Sequence, residues 1–408
     1  MDALTTPLPK AWQRVRLGDI AEIIGGGTPS TQITSFWNGS INWFTPTEIG
    51  ITKYVYKSQR TITPLGLKKS SAKLLPIGTI LLTSRASIGD CAILKVVATT
   101  NQGFQSLIPL EKINNEFLYY LMLTLKNKLL KLASGSTFLE VSPNKIKNLL
   151  IPLPPLNEQA AIANILSALD RYLYSLDALI LKKESVKKAL SFELLSQRKR
   201  LKGFNQAWQK VRLGDIGITI SGLAGKTKQD FINGNAKYIT FLNVLNNVII
   251  DTSILENVKI YPNEKQNSFK KYDLFFNTSS ETPKEVGMCA VLLDDIDQVF
   301  LNSFCFGFRI FDKAVDSLFL SYLINSEIGR KAFENLAQGS TRYNLSKSGF
   351  NNVCLILPPL NEQIAIANIL SDVDHEIISL KNKKRQFENI KKALNHDLMS
   401  AKIRVLNK

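Results

Sequence analysis

The side chains of this sequence that are best suited to bind a ligand are the small polar and basic residues of its loops. In the first half of the chain, residues 25–35 read GGGTPSTQITS, residues 43–49 read WFTPTEI and residues 83–90 read TSRASIGD. Hydroxyl, amide and guanidinium groups donate hydrogen bonds to phosphate oxygens and distinguish base edges. These segments are predicted to contact nucleic acid through Thr28, Ser30, Thr31, Thr45, Thr47, Ser84, Arg85 and Ser87.

The second half of the chain places polar segments of different sequence in the same order. They read SGLAGKTKQD at 221–230, YITFLNV at 238–244 and NTSSETPKEVG at 277–287. A shared frame that carries unlike loops favours two related surfaces that recognise two different sequences. Ordinary polar surface loops are the alternative for any single residue. The candidate contacts of this half are Lys226, Thr227, Lys228, Asn243, Asn277, Thr278, Ser279 and Lys284.

A Gly-Ser-Thr motif occurs once in each half, at residues 135–137 and 339–341. Each copy stands shortly before a second, longer repeated phrase, so it belongs to the conserved frame rather than to the variable loops. Its hydroxyl groups join the same candidate set, which adds Ser136, Thr137, Ser340 and Thr341, together with Arg342 directly after the second copy.

Residue patterns typical of catalysis are missing from the sequence. The two histidines, His375 and His396, have no neighbouring nucleophile or metal-ligand cluster in sequence, and solvent-facing helix positions are expected for both. The segment ending in Gly225-Lys226-Thr227 resembles the end of a P-loop, but that loop needs a glycine where the chain has Ile220. No catalytic residue, metal site or cofactor is predicted in this chain.

The four cysteines also lack metal-ligand or disulfide spacing. They are predicted to be small buried hydrophobic residues in a reducing cytoplasm, and they are Cys91, Cys289, Cys305 and Cys354. No run of about 18 uncharged apolar residues suggests a membrane span, and the first residues lack the apolar core of a secretory signal. The expected location is therefore the cytoplasm, with no membrane partner.

The charge of the chain favours a polyanionic partner. With 51 Lys+Arg against 34 Asp+Glu, the formal net charge is +17 and the pI is about 9.6. Hydrophobic residues make up 45% of the 408 residues, which is ordinary for a folded protein and more chain than one core usually serves. Nucleic acid is the commonest polyanion that a soluble basic protein binds.

Internal repetition organises the whole chain. Residues 153–167 and 357–371 differ only at Ala160 against Ile364. Both copies begin LPPLNEQ. The other repeated segments are AWQRVRLGDI at 11–20 with AWQKVRLGDI at 207–216, and KKALSFELLS at 187–196 with KKALNHDLMS at 391–400. Two units of this length are too few for a solenoid and indicate duplication of a domain plus a helix.

Each LPPLNEQ phrase predicts the start of a long helix. The prolines keep the preceding chain extended, Asn157 and Asn361 are predicted N-caps, and Glu158 and Glu362 lie at the positive end of the helix dipole. An apolar stripe then follows in each copy, interrupted only by lysines at positions 183, 187, 384 and 391. Its apolar members are Ile162, Leu166, Leu169, Leu173, Leu176, Ile180, Leu190 and Leu194, then Ile366, Leu370, Val373, Ile377, Leu380, Phe387, Leu394 and Leu398.

The two stripes are predicted to pair as an antiparallel coiled coil with approximate two-fold symmetry, which places the variable bodies at opposite ends of a rod. The alternative is two separate helices, each lying on its own body. The basic stretch at 198–200, with lysines upstream, is either a solvated helix face or a contact with nucleic-acid phosphates.

The variable bodies are predicted to be mixed α/β domains with their loops exposed on one side. Strands are expected at TILLTSR and CAILKVV with a helix near 115–132, and at KYDLFFNTSS and MCAVLLDD with a helix near 316–336. The predicted division is a first domain at 1–152 with a helical spacer at 153–204, and a second domain at 205–356 with a spacer at 357–408.

The paired LPPLNEQ helices, the Gly-Ser-Thr motifs and the Trp-x-x-Val-x-Leu-Gly-Asp openings resemble the specificity subunit of type I restriction-modification systems. The resemblance covers essentially the whole chain. It implies two target recognition domains, each binding one half of a split, asymmetric site in double-stranded DNA, with the helices acting as a ruler for the gap. It also implies two modification subunits that use S-adenosylmethionine to methylate adenine, and restriction subunits that use ATP and Mg²⁺.

The interpretation is therefore a non-enzymatic DNA-recognition and scaffold subunit. One alternative is a nuclease or methyltransferase in its own right, which the missing motifs disfavour. Another is a coiled-coil protein that binds only proteins, which the charge and the paired loop-rich bodies disfavour. A stand-alone coiled-coil DNA-binding scaffold is the remaining alternative.

Overall fold

Two mixed α/β bodies and two long helices make up the fold. The computed structural model of the protein describes residues 8–135, 139–334, 336–339 and 343–405. The first unit comprises the chain up to Asp177 together with the chain from Asn382 onward, and the second comprises Ala178–Lys381. Each unit therefore contains one body and a segment of each long helix.

The body of the first unit contains ten strands and three α-helices within the described residues. The strands are β1 (Gln13–Arg16), β2 (Ala21–Gly25), β3 (Trp37–Phe44), β4 (Tyr54–Val55), β5 (Arg60–Ile62), β6 (Ile80–Leu82), β7 (Cys91–Leu94), β8 (Ala98–Thr100), β9 (Gln105–Pro109) and β10 (Leu150–Leu153). The helices are α1 (Pro64–Lys68), α2 (Asn115–Leu132) and α3 (Pro143–Lys147).

These strands form three sheets, ordered β2-β9-β6-β7-β4, β5-β3-β8 and β1-β10. The central strands are apolar on both faces because a core lies on each side of them. Leu82 and Leu107 belong to the core that includes α2, while Leu81 and Phe104 belong to the core that includes Phe44 of β3. Helix α2 begins where predicted, because the Asn114 side chain caps it by accepting a hydrogen bond from the third helical residue.

The first long helix, α4 (Leu156–Leu195), leads out of this body. The body of the second unit follows, with β11 (Gln209–Arg212), α5 (Leu213–Ile216), β12 (Gly217–Ser221), β13 (Ala236–Ile239), α6 (Phe241–Asn246), β14 (Glu256–Val258), β15 (Leu274–Asn277), β16 (Ser279–Ser280), β17 (Cys289–Val291), β18 (Val299–Leu301), β19 (Cys305–Ile310), α7 (Ser317–Asn325), α8 (Glu327–Glu334), β20 (Ala337–Gln338), β21 (Tyr343–Leu345), α9 (Lys347–Asn351) and β22 (Cys354–Leu357). The second long helix is α10 (Leu360–Met399).

The second body repeats the frame of the first. Its sheets are ordered β12-β19-β15-β17, β14-β13-β18, β16-β21-β20 and β11-β22. The helix predicted near 316–336 is divided into α7 and α8 at Ser326. The hydroxyl of Ser326 donates to the carbonyl of Leu323 and accepts from the amide of Gly329, so it ends one helix and caps the next.

The repeated openings and the repeated phrases are neighbours in space. Strand β1 of the first opening pairs antiparallel with β10, the strand that leads into LPPLNEQ, with Gln13 opposite Leu153. Strand β11 pairs in the same way with β22, with Gln209 opposite Leu357. The same two-stranded ribbon therefore anchors each long helix to its body.

Both long helices have 40 residues, which corresponds to about 60 Å at 1.5 Å per residue. The predicted N-caps, Asn157 and Asn361, are wrong, because the helices already begin at Leu156 and Leu360 and the residues before them are Pro155 and Pro359. The carbonyl of Pro155 accepts the amide hydrogen of Gln159 at 2.9 Å. Proline fixes φ near about −65° and lacks an N–H group, so Pro155 suits the start of a helix, where that donor would have no partner within the helix.

The two helices run antiparallel, as predicted, within each unit. In the first unit Asp177 pairs with Lys384 at 2.6 Å and Asp170 pairs with Lys391, so the partner number falls by seven as the residue number rises by seven. In the second unit Lys187 pairs with Asp374 at 2.6 Å. Asp374 corresponds to Asp170 and Lys187 corresponds to Lys391, each 204 residues away in the sequence. The two pairs are therefore equivalent, as a two-fold repeat requires. The alternative prediction, in which the two long helices do not pair with each other, is therefore wrong.

All the predicted stripe residues are buried or half-buried. The buried ones are Ile162, Leu166, Leu176, Ile180, Leu194, Ile366, Leu370, Ile377 and Leu398, and the half-buried ones are Leu169, Leu173, Leu190, Val373, Leu380, Phe387 and Leu394. The lysines that interrupt the stripe each pair with an acid of the other helix, as Lys183 does with Glu376 and Lys187 with Asp374. Charge neutralisation explains how the stripe accommodates lysine.

The ends of the helices also belong to the cores of the bodies. Ile162 and Leu166 share the main core of the first unit with Leu398 and Met399. The corresponding core of the second unit contains Leu194, Leu195, Ile366 and Leu370. Each body is therefore packed against the beginning of its own helix and the end of the other.

Candidate nucleic-acid interface

The polar loops of the first unit leave one common edge of its sheets. Strand β2 ends at Gly25 opposite Gln105, where β9 begins. Just beyond β6, Thr83 bridges to Phe104. Strands β3 and β8 run parallel and both end at this edge, where Phe44 lies beside Thr100. The segments that follow, which carry the predicted contacts, are therefore brought together as expected.

Glycine is required where these loops cross. A Cβ atom on Gly26 would lie 1.8 Å from the carbonyl oxygen of Asn101, and one on Gly27 would lie 2.2 Å from the amide of Ala72. The indole of Trp43 donates to the carbonyl of Gly27 at 2.8 Å. The GGG segment is thus held between two other loops, which fixes the polar residues that follow it.

The candidate residues of the first unit differ in accessibility. Ser30, Thr31, Thr47 and Arg85 are exposed, and Thr28, Thr45 and Ser87 are half-buried. Thr28 donates to the side chain of Gln102, and Thr45 donates to Glu48 at 2.8 Å, so both hydroxyls brace their loops. Ser84 is 1% exposed, so it cannot contact a ligand directly. Ser84 is therefore part of the packed interior of its loop.

The second unit presents an equivalent edge. Strand β12 ends at Ser221 opposite Phe306, and β15 ends at Asn277 opposite Cys305. A Cβ atom on Gly222 would lie 2.4 Å from the carbonyl oxygen of Asn302, which repeats the close approach of Gly26 to Asn101. The frame is shared even though the loop sequences differ.

Lys226 is not positioned to bind phosphate. Its side chain is 5% exposed, and its ammonium group contacts Glu264 at 2.5 Å and the carbonyl of Lys259 at 2.6 Å. The hydrogen bond from Lys226 lowers the pKa of Glu264 to about 2. The expectation that this lysine is a phosphate contact is therefore corrected, because its charge is neutralised within the loop.

Thr227 is likewise used inside the loop. Its backbone amide and its hydroxyl both donate to Asp230, at 2.8 and 2.9 Å. The backbone hydrogen bond from Thr227 is the main reason that the pKa of Asp230 is lowered. Lys228, the next residue, is exposed and remains a candidate contact.

Two candidate asparagines of the second unit are fully buried. The Asn243 side chain bonds both backbone groups of Asp251, at 2.9 and 3.0 Å. The Asn277 amide donates to the carbonyl of Glu285 at 2.8 Å, and its oxygen accepts from the amide of Met288 at 2.7 Å. These side chains therefore shape the loops and do not face a ligand.

The remaining candidates of the second unit surround that buried frame. Ser279 is buried, Thr278 is half-buried and donates to the carbonyl of Phe304, and Lys284 is exposed. The candidates of the Gly-Ser-Thr motifs lie outside the described residues; they are Ser136, Thr137, Ser340, Thr341 and Arg342.

Sequence reasoning missed the residues that join the repeated phrases. The buried carboxylate of Glu158 accepts the Trp12 indole hydrogen at 3.0 Å and two hydrogen bonds from Arg404. The signal was present in the sequence, because Trp208, Glu362 and Arg200 stand at the corresponding places of the repeat and form the same triad.

This triad corrects the interpretation of the basic stretch at 198–200. Arg200 is neither a solvated nor a phosphate-facing residue, because its guanidinium binds Glu362 at 2.7 Å. Of the upstream lysines, Lys183 and Lys187 pair with acids, and Lys182 and Lys188 are exposed.

The histidines and cysteines are described by their burial and by their neighbours. His375 and His396 are exposed helix residues, as predicted. Three cysteines are buried, and burial raises the pKa of Cys91 to about 12, whereas Cys354 is exposed and departs from the prediction. Among the described residues there is no cluster of three or more His, Cys, Asp or Glu side chains that could hold a metal ion.

No helix in the described part of the chain is long and apolar enough to cross a membrane.

Comparison with known proteins identifies similar chains. Residues 9–183 and 205–389 match the model of the type I restriction modification DNA specificity domain. The type I restriction enzyme MjaIX specificity subunit of Methanocaldococcus jannaschii is 32% identical over 299 residues, which are 68% of either chain. The MjaVIII specificity subunit of the same organism is 27% identical over 420 aligned residues, covering 98% of this chain and 95% of that one.

Solved structures show the same fold. The S subunit of a type I restriction-modification system from M. genitalium has a TM-score of 0.59 at 17% identity, covering 97% of this chain and 98% of that one. The HsdS subunit from Thermoanaerobacter tengcongensis has a TM-score of 0.55 at 18% identity, covering 99% of this chain and all of the other. The two-body architecture with paired long helices is thus a known one.

Proposed function

Because this chain belongs to the family of type I restriction modification DNA specificity proteins, we propose that each of its two units reads one half of a bipartite DNA site. The chain is the recognition subunit of such a system and not its catalytic one. The observation that supports separate recognition by the two units is the pair of equivalent loop edges. In each edge a glycine packs against the backbone of a neighbouring loop, Gly26 against Asn101 and Gly222 against Asn302, but the two edges present different side chains.

The electrostatics of the chain suit a DNA ligand. A net charge of +17 favours binding to phosphates, and counterion release makes such binding weaken steeply with salt. The exposed candidates at the two edges include Ser30, Thr31 and Arg85 in the first unit and Lys228 and Lys284 in the second, whereas Lys226 and Asn243 are held by internal bonds. They are the proposed DNA contacts.

The candidates on the Gly-Ser-Thr motifs complete the proposed contact set. Their backbone neighbours lie at the same loop edges, because Glu140 bridges to Arg85 in the first unit and Asn344 pairs with Ser279 in the second. The division into recognition domains at 1–152 and 205–356, with helical spacers at 153–204 and 357–408, is retained as part of this proposal.

The proposed partners follow from the family. Two modification subunits would bring S-adenosylmethionine and methylate adenine, and restriction subunits would bring ATP and Mg²⁺ for cleavage. The twofold repetition of the helices supports two equivalent attachment sites for the modification subunits. The expected location of this complex is the cytoplasm, and the antiparallel helix pair is the proposed ruler for the gap between half-sites.

Exchange of one body tests this proposal. The chain is co-expressed with its modification subunits, and methylated adenines are mapped across the genome of the expression host. Replacing residues 11–150 with the corresponding body of another specificity subunit should change one half of the methylated consensus and leave the other half and the gap unchanged. A change in both halves would contradict separate recognition, and methylation by this chain without partner subunits would contradict the recognition role.

A further inference from the structure

A charged pair stands at the loop edge of the first unit. The guanidinium of Arg85 contacts the carboxylate of Glu140 at 2.9 Å, and the two residues face each other in an antiparallel bridge. The Arg85 side chain keeps 47% of its surface exposed and that of Glu140 keeps 34%. The guanidinium is therefore held in place while much of it remains accessible to a ligand.

The loop that carries Arg85 is rigidly built. The Thr83 hydroxyl donates to the carbonyl of Ser87 at 2.6 Å and accepts from the amide of Asp90 at 3.0 Å. The side chain of Asp90 pairs in turn with Lys126 on α2. Ala86, next to the arginine, has a φ of +54°, a left-handed conformation that a non-glycine residue keeps only when its surroundings impose it. A loop fixed in this way loses little entropy when its arginine binds a ligand.

The equivalent position of the second unit carries no such charge. There, Ser279 pairs with Asn344 in the same antiparallel arrangement, and Ser279 is 3% exposed. Glu140 and Asn344 stand at the same place relative to the two Gly-Ser-Thr motifs, 204 residues apart. The pair is thus a property of one unit and not of the shared frame, as expected of a residue that sets what one unit recognises.

We propose that Arg85 is a specificity-determining residue that reads a guanine in the half-site of the first unit, with Glu140 as its positioning residue. This inference rests on the proposed function. The planar guanidinium matches the O6 and N7 acceptors that guanine presents in the major groove. Glu140 orients this group, and its carboxylate repels phosphate, so the pair suits a base edge better than the DNA backbone. An exposed ion pair contributes little to stability, so a purely structural role explains the pair poorly.

The test compares variants of the full chain in complex with its modification subunits. Arg85→Ala should relax the consensus at one G·C position of the first unit's half-site, the half that changes when residues 11–150 are exchanged. Discrimination there should fall roughly tenfold to a hundredfold, the range expected for one bidentate contact. Glu140→Gln should relax the same position to a smaller degree. Lys284→Ala, in the equivalent loop of the second unit, should leave that position unchanged.

Methylation mapping and competition binding with singly substituted sites provide the readout. The inference is overturned by a uniform loss of affinity without any change of consensus, which is the behaviour of a phosphate contact. An unchanged consensus, or a first half-site that contains no G·C pair, overturns it as well. These results leave the proposed function intact, because that function fails only if the unaltered complex lacks a bipartite consensus.

Discussion

Arg404 donates two hydrogen bonds to Glu158, at 2.6 and 3.0 Å, although 246 residues separate them in the chain. Glu158 lies in the first turn of the first long helix, and Arg404 follows the end of the second. Trp12 completes the site from the opening strand region. One carboxylate therefore ties together the opening of the unit, the start of one long helix and the segment after the other, and Glu362 does the same in the second unit.

Replacing Arg404 with alanine should destabilise the first unit by about 3–5 kcal/mol, because Glu158 is 2% exposed and would remain as a buried charge without its cationic partner. Urea unfolding followed by tryptophan fluorescence measures this, since three of the four tryptophans, at 12, 37 and 43, lie in the first unit. Lys402→Ala, two residues earlier and largely exposed, is the matched control. Equal losses in the two variants would refute the role of the buried pair.

Adjacent isoleucines on the second long helix should respond differently to truncation. Ile377 is 6% exposed and Ile378 is 55% exposed. Ile377→Ala should therefore cost about 2–5 kcal/mol, while Ile378→Ala should cost little. Far-ultraviolet circular dichroism during urea unfolding compares the two. If the costs were alike, the stripe would not be the face that packs.

A partly buried ion pair of the first unit should be replaceable by the apolar pair of the second. Lys53 pairs with Glu116, and the equivalent residues are Val248 and Leu318. Backbone hydrogen bonds show that Lys53 and Val248 are equivalent. The amide of Ile93 donates to the carbonyl of Lys53, and the amide of Val291 donates to the carbonyl of Val248. Burial lowers the pKa of Lys53, which shows the desolvation that the charge experiences.

Either single change, Lys53→Val or Glu116→Leu, should cost about 1–3 kcal/mol, because it leaves one partly buried charge without its partner. The double variant should recover most of this loss. A double-mutant cycle from urea unfolding gives the coupling. Additive losses in the double variant would show that the two charges do not depend on each other.

The acid stability of the second unit should depend on Glu264. Its pKa is lowered from an ordinary 4.5 to about 2 by Lys226, so its ionised form is favoured in the folded state. The resulting stability is fully present above pH 4.5 and is lost as the pH falls towards 2. Glu264→Gln should therefore flatten the dependence of the urea midpoint on pH in this range. Glu281→Gln, at an exposed loop position, should leave the slope unchanged, and a slope unaffected by Glu264→Gln would contradict the assignment.

Shortening both helices by a facing heptad tests the ruler. Deleting 174–180 and 381–387 removes residues that face each other, including Asp177 and Lys384, and keeps the register of the rest. Seven residues correspond to about 10 Å of helix, or about three base pairs of DNA. The mapped gap should shorten by this amount with both half-sites unchanged. Deletion from one helix alone should instead destabilise the chain, and an unchanged gap after the paired deletion would exclude a ruler.

The sequence predicted those features that repetition and periodicity encode. The two copies of LPPLNEQ and the stripes from Ile162 to Leu194 and from Ile366 to Leu398 were sufficient for two long antiparallel helices. The start of the helix was misplaced because Asn157 is a better cap by side-chain chemistry than Pro155, whereas the proline carbonyl makes the first helical bond.

The loop chemistry was predicted less completely. Composition cannot distinguish a polar side chain that faces outward from one that braces its own loop, and Asn243, Asn277 and Lys226 are of the second kind. Only the fold brings Asp251, Glu285 and Glu264 to them. In the same way, the basic stretch at 198–200 contained Arg200, whose partner Glu362 is distant in sequence.

The first unit is assembled from two chain segments, one before and one after the second unit in the sequence. This arrangement has a consequence for biosynthesis. A ribosome finishes Ala178–Lys381 before it adds the segment that contains Arg404. The body that emerges first is therefore the last to be completed, and until then Glu158 has no arginine. Translation arrested before residue 404 should yield a chain with a sound second half and a protease-sensitive first half.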